Sequence, residues 1–288
     1  MEIKVEHLVK KYKGCTAIND ISLHITSPSI YGLIGKNGAG KTTLLKMIAG
    51  LARPTSGTVR CDATKGIGTL IESPGIFGHL SARNNLLVKM KMMGDFDESH
   101  ADELLNIVGL NNVGRKRVSS FSLGMKQRLG VAFALVGDPD ILLLDEPING
   151  LDPEGVVLIR DLLIKLRDKN KIIIVSSHML EELSKVSDQY GILDNGVLVK
   201  EFKEGELEYG DEDSFIAHVD NPNNASVILN ELGINYSFVG QGILIRESEE
   251  RAGFAISKLF ENGVQVREFK RYGNALERIL LEKGGKKQ

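Results

Sequence analysis

Eight consecutive residues carry the first recognisable chemistry in this chain. Gly35-Lys36-Asn37-Gly38-Ala39-Gly40-Lys41-Thr42 fits the spacing G-x-x-x-x-G-K-S/T, that of a loop built to hold phosphate. Glycines let the backbone curl until successive N–H groups point inward, and a helix starting at the end of the loop offers the positive end of its dipole. Gly35, Asn37, Gly38, Ala39 and Gly40 then form the cradle, and Lys41 reaches the β- and γ-phosphates. The Thr42 hydroxyl is of the type that ligates Mg²⁺, with Thr43 next to it in the first helical turn. A strand-like run before the loop, Ile30–Ile34, and a helical run after it, Thr42–Ala49, supply the context this chemistry requires.

A glycine-rich turn can imitate such a loop, so a second element has to agree with it. Ile141-Leu142-Leu143-Leu144-Asp145-Glu146 is an apolar strand ending in acids, the partner element of a phosphate-loop NTPase, in which Asp145 would hold Mg²⁺ directly or through water. The pair leaves GTPases and kinases open. A guanine-reading N-K-x-D string is missing, and Asp152-Pro153-Glu154-Gly155 fits D-x-x-G only in a place that makes the match accidental. Phe121-Ser122-Leu123-Gly124-Met125-Lys126-Gln127-Arg128 discriminates. It resembles the signature LSGGQ-x-Q-R of the ATP-binding cassette (ABC) ATPases, with the serine, the second glycine and the Gln-Arg in place. The order phosphate loop, signature, Mg²⁺ strand, Asp152 and then Ser177-His178 is also that family's, and the resemblance covers about residues 1–205.

The resemblance implies a division of labour. Two cassettes, identical or different, would pack head to tail, each ATP lying between the phosphate loop of one and the signature of the other. Ser122 and Gly124 would touch the γ-phosphate from the partner, Glu146 would act as general base or water-positioner, and His178 would contact the γ-phosphate and hold the attacking water. Asn149-Gly150-Leu151-Asp152 looks like the loop by which each cassette senses the other's site, and Tyr12 falls where the family stacks an aromatic ring on adenine. Leu123 and Met125 depart from the usual glycine and glutamine of the signature, which predicts weaker contacts from that side. Glu72 stands where glutamine is usual, at a strand end, in a role touching both Mg²⁺ and catalysis; a carboxylate ligates the ion but cannot donate a hydrogen bond.

Ile71-Glu72-Ser73-Pro74-Gly75, followed by Leu80-Ser81-Ala82-Arg83-Asn84-Asn85-Leu86, resembles the ATPase subunits of lantibiotic self-protection and bacitracin-resistance exporters. This implies an ATP-hydrolysing subunit on the cytoplasmic face of a membrane, powering separately encoded permease subunits that export an antimicrobial peptide. Residues from Glu72 to about Met93 would receive the permease, with Met90, Met92 and Met93 either lining a groove or filling a helix core. The alternative is a soluble ABC ATPase of another function, such as cluster assembly. DNA-linked members carry long coiled-coil insertions between loop and signature, and the stretch from Thr42 to Gly124 has no heptad array.

Positioning these residues requires alternating strands and helices. Apolar runs at Ile21–Ile25, Ile30–Ile34, Ile67–Ile71, Ile141–Leu144, Ile172–Ser176 and Tyr190–Leu193 read as strands; Thr42–Ala49, Ala101–Val108, Met125–Val136 and Glu154–Asp168 have helical spacing. Short uninterrupted apolar runs suit strands covered on both faces, so the expected fold is an α/β domain around a mostly parallel sheet, residues 1–205, and the resemblance implies a phosphate-loop NTPase cassette with a helical subdomain. The stretch Glu201–Asp213 holds seven acidic residues and reads as a solvated linker. Beyond it, the order strand 215–219, helix 225–232, strands 236–239 and 243–246, helix 251–261, strand 264–269 predicts a small α+β ferredoxin-like domain, residues 206–288, closed by an amphipathic helix at Asn274–Lys283.

The chain's 36 Lys+Arg against 38 Asp+Glu give a net charge of −2, which argues against a protein that coats nucleic acid. Two cysteines are too few for a disulfide framework and point to a reducing compartment. No apolar run approaches the roughly 20 residues of a membrane helix, so membrane action would need a partner.

Overall fold

The computed structural model describes residues 1–72, 75–94, 96–178, 183–203, 214–239 and 242–272. The chain forms two compact units, Met1–Glu204 and Gly205–Gln288. In chain order the first contains strands β1 (Glu2–Tyr12), β2 (Cys15–Thr26) and β3 (Ser29–Ile34), helix α1 (Lys41–Ile48), and strands β4 (Ser56–Asp62) and β5 (Ile67–Leu70). Helices α2 (Ala82–Met93), α3 (Glu98–Ile107) and α4 (Leu123–Leu135) follow, then β6 (Ile141–Asp145), α5 (Pro153–Asp168), β7 (Ile172–Ser177), β8 (Gln189–Asp194) and β9 (Val197–Lys203).

Six strands make the central sheet in the order β5-β6-β7-β3-β8-β9, parallel except for the hairpin that brings β9 back along β8. Every residue of β3, β6 and β7 is buried, as expected of Ile/Leu/Val runs without alternation. Register decides where the chemistry goes: Leu70 lies opposite Leu144, Asp145 opposite Ser176, and Ile34 opposite Ser177. The loops after β3, β5, β6 and β7 therefore leave the same edge of the sheet, the carboxyl edge at which open α/β sheets bind ligands.

A second, antiparallel sheet, β2-β1-β4, is largely unannounced by the sequence: β1 and β4 are new and β2 is much longer than its apolar run. These strands are half-covered, with Ile3, Val5 and Leu8 buried between charged neighbours, so their alternation is diluted by polar residues. Their apolar face joins Leu44, Leu45, Met47 and Ile48 of α1 and Tyr31, Leu33, Leu143 and Ile174 of the central sheet in one core. At about 1.5–3 kcal/mol for each large aliphatic side chain fully buried, this core clamps α1 firmly between the two sheets. Helix α2, also absent from the expected elements, begins at a Ser81 cap whose hydroxyl accepts from Asn84 N–H, and it buries Leu86 and Met90 but leaves Met92 and Met93 exposed.

The second unit comprises β10 (Ser214–Val219), α6 (Pro222–Glu231), β11 (Tyr236–Val239), β12 (Gly242–Arg246), α7 (Glu249–Glu261) and β13 (Val266–Arg271). Its sheet is antiparallel, in the order β11-β12-β10-β13. Ala225, Ile228 and Leu229 of α6 and Ala252, Ala255 and Leu259 of α7 pack on Phe215, Ala217, Ile243 and Ile245. The expected helix at Asn274–Lys283, and residues 204–213 of the acidic stretch, lie outside the described residues. Among the described residues, no helix is long and apolar enough to cross a membrane.

Candidate active site

The loop after β3 is shaped by close backbone approach. A Cβ on Gly35 would collide with the carbonyl of Leu193, and Gly40, at φ +109°, would bring one within 2.7 Å of the Ala17 carbonyl. Gly40 caps α1 in the left-handed region without any side-chain hydrogen bond, and the first amide of the helix to find an acceptor is Leu44 N–H, on Gly40 O at 2.9 Å. Among the described residues, the amides of Lys41, Thr42 and Thr43 have no acceptor, the arrangement at a helix start that binds phosphate. Lys41 is buried and folds back to donate to Gly35 O at 2.6 Å.

Residues Lys36 to Thr43 line a cleft of about 380 Å³ together with Asp145 and Glu146. Cys15, Thr16 and Ala17 of β2, and Asn195-Gly196 in the turn between β8 and β9, complete it. None of these five was legible as a site residue. The Asn-Gly pair is a hairpin-turn signal, but what brings it here is tertiary: Gly196 N–H donates to Ala39 O at 2.9 Å and Asn19 N–H to Gly196 O at 2.8 Å.

The acids at the end of β6 meet the loop. Thr42 Oγ1 donates to Asp145 Oδ2 at 2.7 Å, and Ser176 Oγ donates to Asp145 Oδ1 at 2.5 Å, so both carboxylate oxygens are anchored. Glu146 is held in a left-handed backbone conformation (φ +50°). Its N–H is shared between Ser176 Oγ (3.0 Å) and Ser176 O (3.2 Å), and its carbonyl accepts from Gln127 Nε2 at 2.8 Å. One oxygen of its carboxylate is 3.5 Å from Lys41 Nζ, and the other is 2.9 Å from His178 Nδ1. A carboxylate gripped this way is a fixed hydrogen-bond acceptor, the requirement for drawing a proton from water. Ser176 and Gln127 had no site role in the sequence; a strand-end serine opposite the acid of the neighbouring strand was the available signal for the first.

Other expected site residues are placed elsewhere. Tyr12 stands half-exposed on the β1–β2 hairpin opposite Cys15, with Lys10 Nζ 4.9 Å from its ring centroid; it adjoins the cleft without lining it. Glu72 leaves the same sheet edge at φ +62°, but its carboxylate is bonded to Lys46 Nζ of α1 at 2.6 Å and not to the Thr42–Asp145 pair. Its expected role at the metal would require it to leave this lysine of α1. Ser122 caps α4, its hydroxyl accepting from Met125 N–H at 3.2 Å, and Gly124 packs so closely on the carbonyl of Gly150 that a Cβ would lie 2.9 Å from it. Asp152, expected at nucleotide, is the cap of α5: its carboxylate accepts from Gly155 N–H at 3.1 Å ahead of a proline in the first turn. Ser122, Gly124 and Asp152 stand outside this chain's cleft. Ser73 and Pro74 lie outside the described residues.

Comparison with known proteins agrees with this geometry. The family described as ABC transporter matches residues 18–149. The bacitracin transport ATP-binding protein BcrA of Enterococcus faecalis is 44% identical over 71% of this chain and 70% of its own. Its namesake from Bacillus licheniformis is 36% identical over 97% of this chain and 96% of its own. The lantibiotic transport ATP-binding protein SrtF of Streptococcus pyogenes is 40% identical over 69% and 90%, respectively. Among solved structures, an ATP-binding cassette in a dimeric post-hydrolysis state bound to ADP and Pi superposes with a TM-score of 0.65 at 24% identity, over 70% of this chain and 98% of that one, which speaks to the fold. With a phosphate cradle, its two acids and full-length relatives all in agreement, the chain belongs to the ABC transporter ATP-binding proteins, the ATPase subunits of such transporters.

Proposed function

We propose that this ATPase subunit pairs with a second cassette, takes up Mg²⁺ and ATP in the cleft, and drives a separate membrane permease that exports an antimicrobial peptide of the bacitracin or lantibiotic kind. The observation that carries the hydrolytic part is the Glu146 carboxylate held between Lys41 and His178, beside the Thr42–Asp145 pair. The free amides after Gly40 would bind the phosphates, and Lys41 would exchange Gly35 O for a phosphate oxygen. Thr42 and Asp145 would give Mg²⁺ two hard oxygen ligands, the small protein contribution typical of that ion at a nucleotide. Mg²⁺, when bound, supplies neutralisation of charge on the phosphate oxygens. Glu146 would accept the proton of the attacking water, and His178 would hold that water in line.

Ser122 and Gly124 would act on the nucleotide of the partner cassette, to which the exposed Leu123 would also be presented. Tyr12 would offer its ring to adenine after a small swing of the hairpin. Glu72 would reach the ion only by leaving Lys46, which makes its contribution conditional on movement of the segment toward the permease. The names of the relatives support the cargo class and the permease, and with it a place at the inner face of the membrane. We further assign residues 206–288 as a ferredoxin-like accessory domain, for which the antiparallel order β11-β12-β10-β13 with two helices on one face is the support. The test is Glu146→Gln in the full chain: it should bind ATP, lose turnover and accumulate as an ATP-dependent dimer by sedimentation. Wild-type hydrolysis by that variant removes Glu146 from the reaction. Recovery of the native protein only with soluble partners, free of any membrane protein, ends the transport reading.

A further inference from the structure

We propose that Gln127 is a positioning residue for hydrolysis, holding Glu146 in register from the signature helix. This rests on the reading of Glu146 as the base. Glu146 keeps a left-handed backbone that residues with a Cβ rarely adopt, and from that backbone its side chain reaches Lys41 and His178. Such a conformation persists when its surroundings over-determine it. Here Ser176 holds the N–H from β7, while the carbonyl accepts from Asn149 N–H at 3.1 Å within the turn and from Gln127 Nε2 at 2.8 Å across it. The orientation of the Gln127 amide follows from chemistry, since a carbonyl only accepts and the NH₂ end must face it.

Gln127 lies three residues after Gly124, on the same face of α4. Gly124 sits against the carbonyl of Gly150, in the turn that Glu146 opens. Helix α4 thus touches this turn by close packing of Leu123 and Gly124 on Gly150 and by a hydrogen bond from Gln127. A displacement of α4 reaches the Glu146 carboxylate through its own backbone, and a misplacement of about 1 Å near reacting groups costs on the order of a hundredfold in rate.

Steady-state ATP hydrolysis and equilibrium binding of a fluorescent ATP analogue, measured on the full chain, test the assignment. Gln127→Ala and the near-isosteric Gln127→Glu, which lacks the donor, should lower kcat about tenfold with KM and affinity unchanged. Gln127→Lys keeps a donor and should recover at least half of the wild-type kcat. Wild-type kcat in Gln127→Glu overturns the proposal, as does an equal loss of kcat and affinity, or a Gln127→Lys variant no better than Gln127→Ala. Glu146→Gln measured alongside separates the two readings: if it is inactive while Gln127→Glu is normal, the positioning role alone fails; if it hydrolyses normally, the role of Glu146 fails first.

Discussion

Glu146 illustrates what a single residue owes to its surroundings. A glutamate after an apolar strand is unremarkable by type, yet here its backbone is bent by Ser176 and Gln127 until the carboxylate meets Lys41 and His178. Removing the charge by Glu146→Gln leaves shape and hydrogen bonding nearly intact, so the expected result is retained ATP binding with kcat lowered about 10²–10⁴-fold, read by phosphate release. The two cysteines give an independent check on the cleft. Cys15 is exposed and lines it, whereas burial pushes the Cys61 thiol up from its ordinary range and lowers its thiolate fraction. Maleimide at pH 7.5 should label Cys15 first, by about tenfold or more, and Mg·ATP should slow that labelling while leaving Cys61 unchanged, as mass spectrometry of the peptides would report. Labelling of Cys15 that ignores nucleotide would place ATP elsewhere. At Glu72, replacing the carboxylate by an amide weakens the bond from Lys46 and restores a donor. Glu72→Gln should keep nucleotide binding while altering peptide resistance in cells, and resistance at the wild-type level would deny Glu72 a role in coupling.

At the scale of elements, two helices start at residues whose shown role is capping. Ser122 and Asp152 were expected to face nucleotide, and in the chain they first stabilise α4 and α5 by taking up N–H groups of Met125 and Gly155. Loss of such a cap costs about 1 kcal/mol, so Asp152→Ala should lower the chemical-denaturation midpoint by an amount equivalent to roughly 0.5–2 kcal/mol. A midpoint equal to wild type would mean the cap contributes nothing to stability. The central strands were the easiest elements to read, because strands covered on both faces need unbroken apolar runs such as Ile141–Leu144 and Ile172–Val175. The sheet β2-β1-β4 was much harder. β1 buries three of its eleven residues, β2 four of twelve and β4 none, and polar side chains such as Lys4, Glu6 and His7 dilute the pattern between Ile3, Val5 and Leu8. That sheet matters to the site, since it brings Cys15, Thr16 and Ala17 to the cleft.

At the scale of the whole molecule, the motifs lie at residues 35–43, 122–128, 145–152 and 177–178, and the parallel register gathers three of these groups at one sheet edge. The signature stays apart from this chain's cleft, its helix reaching the turn that Glu146 opens through Gln127, Gly124 and Leu123. On the proposed reading Ser122 and Gly124 serve the nucleotide of a second cassette, identical or different, and the pair works on a separate permease. The native chain should therefore fractionate with membranes when its permease is expressed and stay in the supernatant when the permease is deleted, as immunoblotting would show. Membrane association that survives the deletion would require an anchor of another kind.

By itself the sequence determined the family and pointed to the loop, the acids at the end of β6 and the histidine past β7, because each is written in local residue types at short spacing. Only the tertiary structure decided that Glu72 is held by Lys46, that Asp152 is spent on capping α5, that Ser176 and Gln127 set the backbone of Glu146, and that two hairpins wall the cleft. The reason is physical. A motif fixes which groups can do chemistry, but which of several partners a flexible charged side chain takes depends on distances between strands and helices far apart in the chain, and those are set by packing.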